Sequence, residues 1–166
     1  MSVDGTDFRV KRKGKRWYSH KYKKGGVRYE VALCILTGDI VWINGPYEAG
    51  KWPDISIFRD SLKSHLSPKE RVEADDGYIG EAPALVKCPK SFTTREETES
   101  MDQRMRNRQE TVNKRFKNWE VLAVPFRHEI YRHGDAFRVI AILTQLAINS
   151  GEALFSVHYN DKNPFP

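Results

Sequence analysis

From Thr94 to Ala123 the chain runs for thirty residues without a proline or a glycine, and this stretch limits the fold more than any other. Within it Met101, Met105, Val112, Phe116, Trp119 and Ala123 recur at spacings of three, four and seven. That rhythm predicts one long amphipathic helix, ended by Pro125. A second helix is expected from about Asp135 to Asn149, with Phe137, Ile140, Ala141, Thr144 and Ile148 on one face and Ser150-Gly151 closing it.

Upstream the pattern is different. Ser2 to Val10 is short and partly β-like. Arg28–Leu36 and Asp39–Asn44 are rich in Val, Ile, Tyr and Trp around the turn residues Thr37-Gly38-Asp39, which predicts a β-hairpin. Pro53 opens a helix carrying Ile55, Ile57, Phe58, Leu62 and Leu66, and Ser67-Pro68 stops it. Glu70–Asp75 and Ala84–Cys88 read as short strands, and Phe155, Val157 and Tyr159 as a short tail strand. The order β, β, β, α, β, β, α, α predicts an α/β fold, a mixed sheet covered by helices.

A length of 166 residues fits one domain, and 39% hydrophobic with 11% aromatic residues can build a core. No apolar run approaches the ~20 residues of a membrane span, and the N-terminus lacks the apolar heart of a signal peptide. Cys34 and Cys88 stand far apart, which excludes a disulfide framework and a zinc ribbon and suits a reducing compartment. An intracellular protein with no membrane partner is expected.

The net charge of +6 hides a separation of signs. Residues 9–28 hold ten of the 28 Lys and Arg and none of the 22 Asp and Glu, leaving 18 against 22 elsewhere. Lys11, Arg12, Lys13, Lys15, Arg16, Lys21, Lys23 and Lys24, interleaved with Trp17, Tyr18 and Tyr22, fit a loop or ribbon that binds DNA phosphates and stacks on unpaired bases. The plainer reading is a solvated loop whose aromatics enter the core. Lys11–Arg16 (KRKGKR) also resembles a nuclear localisation run, which places the protein in the nucleus if the source is eukaryotic.

Other chemistries find little support. Among the five histidines the nearest pair, His128 and His133, is off helix-face spacing, Lys24-Gly25-Gly26 lacks the remainder of a phosphate loop, and no Gly-x-Ser-x-Gly occurs.

Three acids stand at informative places. Asp4 lies in the first strand beside Gly5, Asp75 at the end of the strand after the first helix, and Glu110 midway along the long helix. Ligands in such sheets collect at strand ends. Converging carboxylates repel unless cations neutralise them, and hard oxygen donors suit Mg²⁺ or Mn²⁺. Two such ions would serve phosphodiester cleavage. Arg106, Asn113, Lys114 and Lys117 share the Glu110 face of the helix, opposite Val112. A solvated ion-pair face for Glu110, and turn roles for Asp4 and Asp75, are the alternatives the pattern leaves open.

The same segments resemble the catalytic domain of DDE transposases, in particular the Harbinger-type and related insertion-sequence endonucleases. DGTDF (Asp4–Phe8) resembles the first-aspartate motif, and YEAGKWPDISIFR (Tyr47–Arg59) the segment before the first helix. EADDGYIG (Glu73–Gly80) resembles the second-aspartate motif and selects Asp75 over Asp76; NRQETVNKRFKNWEVL (Asn107–Leu122) resembles the third and selects Glu110. The resemblance implies one RNase H-like domain over residues 1–166, with Asp4, Asp75 and Glu110 as catalytic and metal-holding residues. It also implies Mg²⁺ or Mn²⁺ as cofactor, DNA as partner, and strand cleavage and transfer as activity, with Lys117 joining the basic segment on the backbone. Asp54, preceded here by Pro53 where the family has His, is expected to be a helix-start acid rather than a metal ligand. Relatives carry an upstream helix-turn-helix module, and the sequence opens three residues before Asp4. A homodimer or a separate DNA-binding partner is therefore expected. The alternative is a catalytically inactive, transposase-derived remnant that binds DNA or protein.

Overall fold

The computed structural model describes residues 1–91 and 95–157, the side chains of 95–105 excepted. Among these residues the elements run β1 (Ser2–Arg9), β2 (Tyr18–Ser19), β3 (Lys24–Leu33), β4 (Ile40–Glu48), α1 (Asp54–Asp60), β5 (Val72–Glu73), β6 (Val86–Lys87), α2 (Arg95–Lys117), α3 (Glu120–Ala123) and α4 (Ile130–Asn149). The class is mixed α/β.

β1 and β3 pair antiparallel along their whole length, from Ser2↔Leu33 to Arg9↔Gly26. On the other side of β3, β4 pairs antiparallel with residues 27–33, and β2 with Lys24 and Gly25. On the other side of β1 come β5 and then β6, both parallel. With β2 and β4 both on the outer side of β3, the strands run β4-β3-β1-β5-β6, three antiparallel followed by two parallel. Gly38, at φ +85°, supplies the left-handed residue of the β3–β4 turn.

Side chains alternate across β1 and divide the core in two. Phe8, with Val27, Tyr29 and Val31 of β3, packs against Val112 and Phe116 of α2 and Phe137 and Ile140 of α4. On the opposite face Val3 and Ala32 pack with Phe58, Leu62, Val72 and Tyr78.

Several sequence expectations change. The long helix stops at Lys117, because Trp119 is extended at φ −83°, ψ 123°. This offset lets Leu122 enter the core at 2% exposure and leaves the expected stripe residue Trp119 at 44%. Helix α4 begins at Ile130, five residues early. Gly134 belongs inside it because a Cβ there would lie 3.1 Å from Pro46 Cδ. Its expected face is the buried one. The first helix gives way at Ser61 (φ −139°) to a 3₁₀ turn, Leu62–His65. Glu70–Asp75 and Ala84–Cys88 shorten to two residues each, and β2 was not expected. Residues 152–157 form no strand; Tyr159, Thr94 and the side chains of Met101 and Met105 lie outside the described residues. No helix among the described residues is long and apolar enough to cross a membrane.

Candidate acidic cleft and basic loop

The pairing Ser2↔Glu73 sets the level of the candidate site. Two residues further along these parallel strands come Asp4 and Asp75, at one height and on the face that meets α2. With Glu110 of α2 they line a single cleft of about 230 Å³, together with Ser2, Glu73 and Gln109. The three expected acids are therefore brought to one place.

Helix α2 is fixed there by buried amides. Gln109 Nε2 donates to the Val31 carbonyl at 3.0 Å and its Oε1 accepts from Ser2 Oγ at 3.2 Å. Asn113 Nδ2 donates to Asp4 Oδ2 at 2.9 Å. Arg108, 3% exposed, donates to the Ile35 carbonyl at 2.6 Å and to the Phe155 carbonyl at 2.7 Å, clamping the β3–β4 turn and the C-terminal segment onto the helix. Asp75 and Asp76 have separate roles. Asp75 Oδ1 accepts from Gly77 N at 2.8 Å and starts a 3₁₀ turn, whereas Asp76 turns to Lys90.

The sequence did not reveal Asp54 as part of this cluster. It does open α1, as expected, but its side chain is thrust against β1 from the other face: a Cβ on Gly5 would lie 1.8 Å from Asp54 Oδ1. That oxygen is buried without a hydrogen-bond partner, and Oδ2 faces Arg28 Nη1 at 3.4 Å. Arg28 in turn grips Asp7, Nε to Oδ1 at 2.7 Å, and Asp7 also accepts from Ser19 Oγ at 2.6 Å. Only a glycine at position 5 admits this arrangement.

Charge accumulates. Burial first, then Asp54 and Asp75, push the Asp4 carboxyl up to about 6, opposed by Lys21. Burial raises Asp54 as well, Arg28 opposing and Asp75 adding. Tyr78, fully buried, has a hydroxyl without a partner and is pushed far up by burial and by Asp54, Glu30, Asp4 and Asp75. Glu110 stays exposed on the cleft rim. Among the described residues no group of three or more His, Cys, Asp or Glu side chains lies close enough together to hold a metal ion. The donors are chemically suited to a hard divalent cation; as placed, they do not close around one.

The expected cations divide into two groups. Lys21 and Lys117 approach Asp4. Burial and then Lys21 pull the Lys117 ammonium down to about 8, and Nζ lies 5.4 Å from the Phe8 ring centre. At the far end of β1, Lys11, Arg12, Lys13, Lys15 and Lys24 line a larger cavity of about 990 Å³. Arg12 pairs with Glu129 at 3.2 Å, Arg16 pairs with Glu48 at 2.6 Å, and Lys23 occupies a left-handed turn at φ 55°. Of the interleaved aromatics, Trp17 packs against the core, as in the core-entering reading, and Tyr22, half-buried, donates its Oη to the Asp7 carbonyl at 2.9 Å. Tyr18 stays exposed at 37%.

Compared with known proteins, the chain has no significant match to a family model, a curated protein or a solved structure.

Proposed function

We propose that this chain is a divalent-cation-dependent DNA endonuclease domain of the DDE transposase type, with Asp4, Asp75 and Glu110 as the acids that hold the cations. One observation carries the reading: Asp4 on the central strand and Asp75 just after its parallel neighbour stand level in one cleft with Glu110, and burial together with Asp54 and Asp75 makes a bare Asp4 carboxylate costly there. The strand order, three antiparallel then two parallel with β1 central, agrees with the RNase H-like fold that the motifs DGTDF and EADDGYIG imply. Bound Mg²⁺ or Mn²⁺ would supply the Lewis acidity for water to attack phosphorus as the bond to the 3′ oxygen breaks. The protein's own contribution is placement. Asn113 orients Asp4, the turn at Gly77 orients Asp75, and Lys21 and Lys117 offer charge to the phosphate that approaches them. The released 3′-hydroxyl is the nucleophile for strand transfer.

A supercoiled plasmid incubated with Mg²⁺ tests this: nicking is expected from the wild type and lost in Asp75→Ala and Glu110→Gln. Failure of the wild type to nick under Mg²⁺ and Mn²⁺, while it still retards DNA in a gel, refutes it. That outcome supports the second reading, an inactive transposase-derived binder of DNA or protein, which the open spacing of the three acids favours.

A further inference from the structure

The cavity of about 990 Å³ at the far end of β1 is a built feature. The loop forming it is fastened at both ends: Lys11 N donates to the Phe126 carbonyl at 2.7 Å, and Gly50 N to the Arg16 carbonyl at 3.0 Å. Glycines let the walls meet, since a Cβ on Gly25 would lie 2.1 Å from the Arg12 carbonyl oxygen and one on Gly50 2.2 Å from that of Lys15. Val10 and Pro125 give it an apolar floor. Lys11, Lys13, Lys15 and Lys24 surround it, and among the described residues none of the four has a carboxylate partner. Tyr18 stands in its wall, 37% exposed and in a T-shaped contact with His20 at 5.3 Å between ring centres.

A compact cavity of this volume is about 12 Å across, no more than the ~12 Å major groove alone of B-DNA, so a whole duplex cannot enter it. Ammoniums without carboxylate partners around an apolar floor and an exposed tyrosine match a single strand: phosphates outside, a base within. Asp4 and Val10 are separated by six residues of extended chain, about 20 Å, which is the rise of about six stacked nucleotides.

We propose that this cavity binds an unpaired nucleotide, its base stacked on Tyr18 and its flanking phosphates on Lys11, Lys13, Lys15 and Lys24, about six positions from the phosphodiester presented to the acidic cleft. The register rests on the nuclease reading; the strand binding does not.

The test is fluorescence anisotropy with labelled single-stranded, blunt duplex and overhang-bearing oligonucleotides, in EDTA, so that no cleavage contributes. Single-stranded and overhang DNA are expected to bind more tightly than blunt duplex. Tyr18→Ala should weaken them by roughly 5- to 150-fold, with recovery in Tyr18→Phe and no change for blunt duplex. Each of Lys13→Ala and Lys15→Ala should reduce the slope of log affinity against log salt by about 0.7. Equal binding of single strand and duplex, an indifferent Tyr18→Ala, or equal Tyr18-dependent binding to anionic lipid vesicles overturns the proposal. Because Asp75→Ala keeps the cavity, strand binding in that variant without any nicking by the wild type would leave this inference standing and remove the nuclease reading. Nicking with an indifferent Tyr18→Ala would do the reverse.

Discussion

Adding one methyl group at Gly5 should disturb the molecule far more than its size suggests. The Cβ of an alanine there would lie 1.8 Å from Asp54 Oδ1 and 2.7 Å from Asp54 Cγ. Ordinary contact begins near 3.4 Å, so the carboxyl group must retreat by about 1.6 Å. It has little room to do so: Oδ1 is buried, Oδ2 faces Arg28, and the residue before it is Pro53, whose ring fixes the entry to α1. Overpacking of this kind costs about 1–3 kcal/mol. For a chain of this length, 2 kcal/mol lowers Tm by about 4–8 °C. Removing the obstacle should rescue the variant, so Gly5→Ala combined with Asp54→Ala is expected to be more stable than the two single losses added together, by at least about 1 kcal/mol. Urea unfolding of the four proteins in this cycle measures it. Additivity within about 0.5 kcal/mol would show that Asp54 does not occupy the space above Gly5, and the account of the cluster would fall.

Asp4, held at about 6 against an ordinary 3.8, keeps its proton longer when folded than when unfolded, so its contribution to stability is lost as pH rises from about 4 through 6. Asp4→Asn should therefore gain on the wild type above pH 6, by about 1–3 kcal/mol, and Mg²⁺ should raise Tm at pH 7.5 in the wild type only; parallel Tm profiles of the two proteins would contradict this. His133 behaves oppositely. Fully buried, and at 2.7 Å from Tyr29 Oη through Nδ1, it is pulled by burial down to about 4, so its contribution is intact above about 6.5 and is lost as pH falls toward 4. Its ring should remain neutral by NMR at pH 5.5. Arg108→Ala leaves the carbonyls of Ile35 and Phe155 without their donor and should cost about 2–3 kcal/mol, with new protease sensitivity near Phe155.

The hairpin was readable because Thr37-Gly38-Asp39 encodes its turn locally, and the inward face of α4 because its spacing is helical. The end of α2 was not, since neither Pro nor Gly marks Trp119; the chain breaks there because a register shift brings Leu122 into the core. Nor was the start of α4, since Gly134 lies within the helix for its contact with Pro46, a reason that is tertiary rather than local. In the site, Asp4, Asp75 and Glu110 could be named from motif and position. Asp54 could not, because its part depends on the missing side chain of Gly5, on a strand 49 residues away in sequence. Asn113 was assigned to the face of Glu110, yet it is 8% exposed and holds Asp4, a distinction that helical angle alone is too coarse to make.

The line of contacts Ser19–Asp7–Arg28–Asp54 makes the basic segment and the acidic cleft a single inheritance. A segment so rich in cations looks like an appendage that evolution or an engineer could trim or exchange. Here its Ser19 is fully buried and bonded to the partner of the arginine that meets Asp54, so excising the loop would strip Asp7 of a hydrogen-bond donor. Exchanging the loop's outward lysines alters what the loop can bind and leaves this line of contacts intact, whereas discarding its middle removes Ser19 from the centre of the sheet.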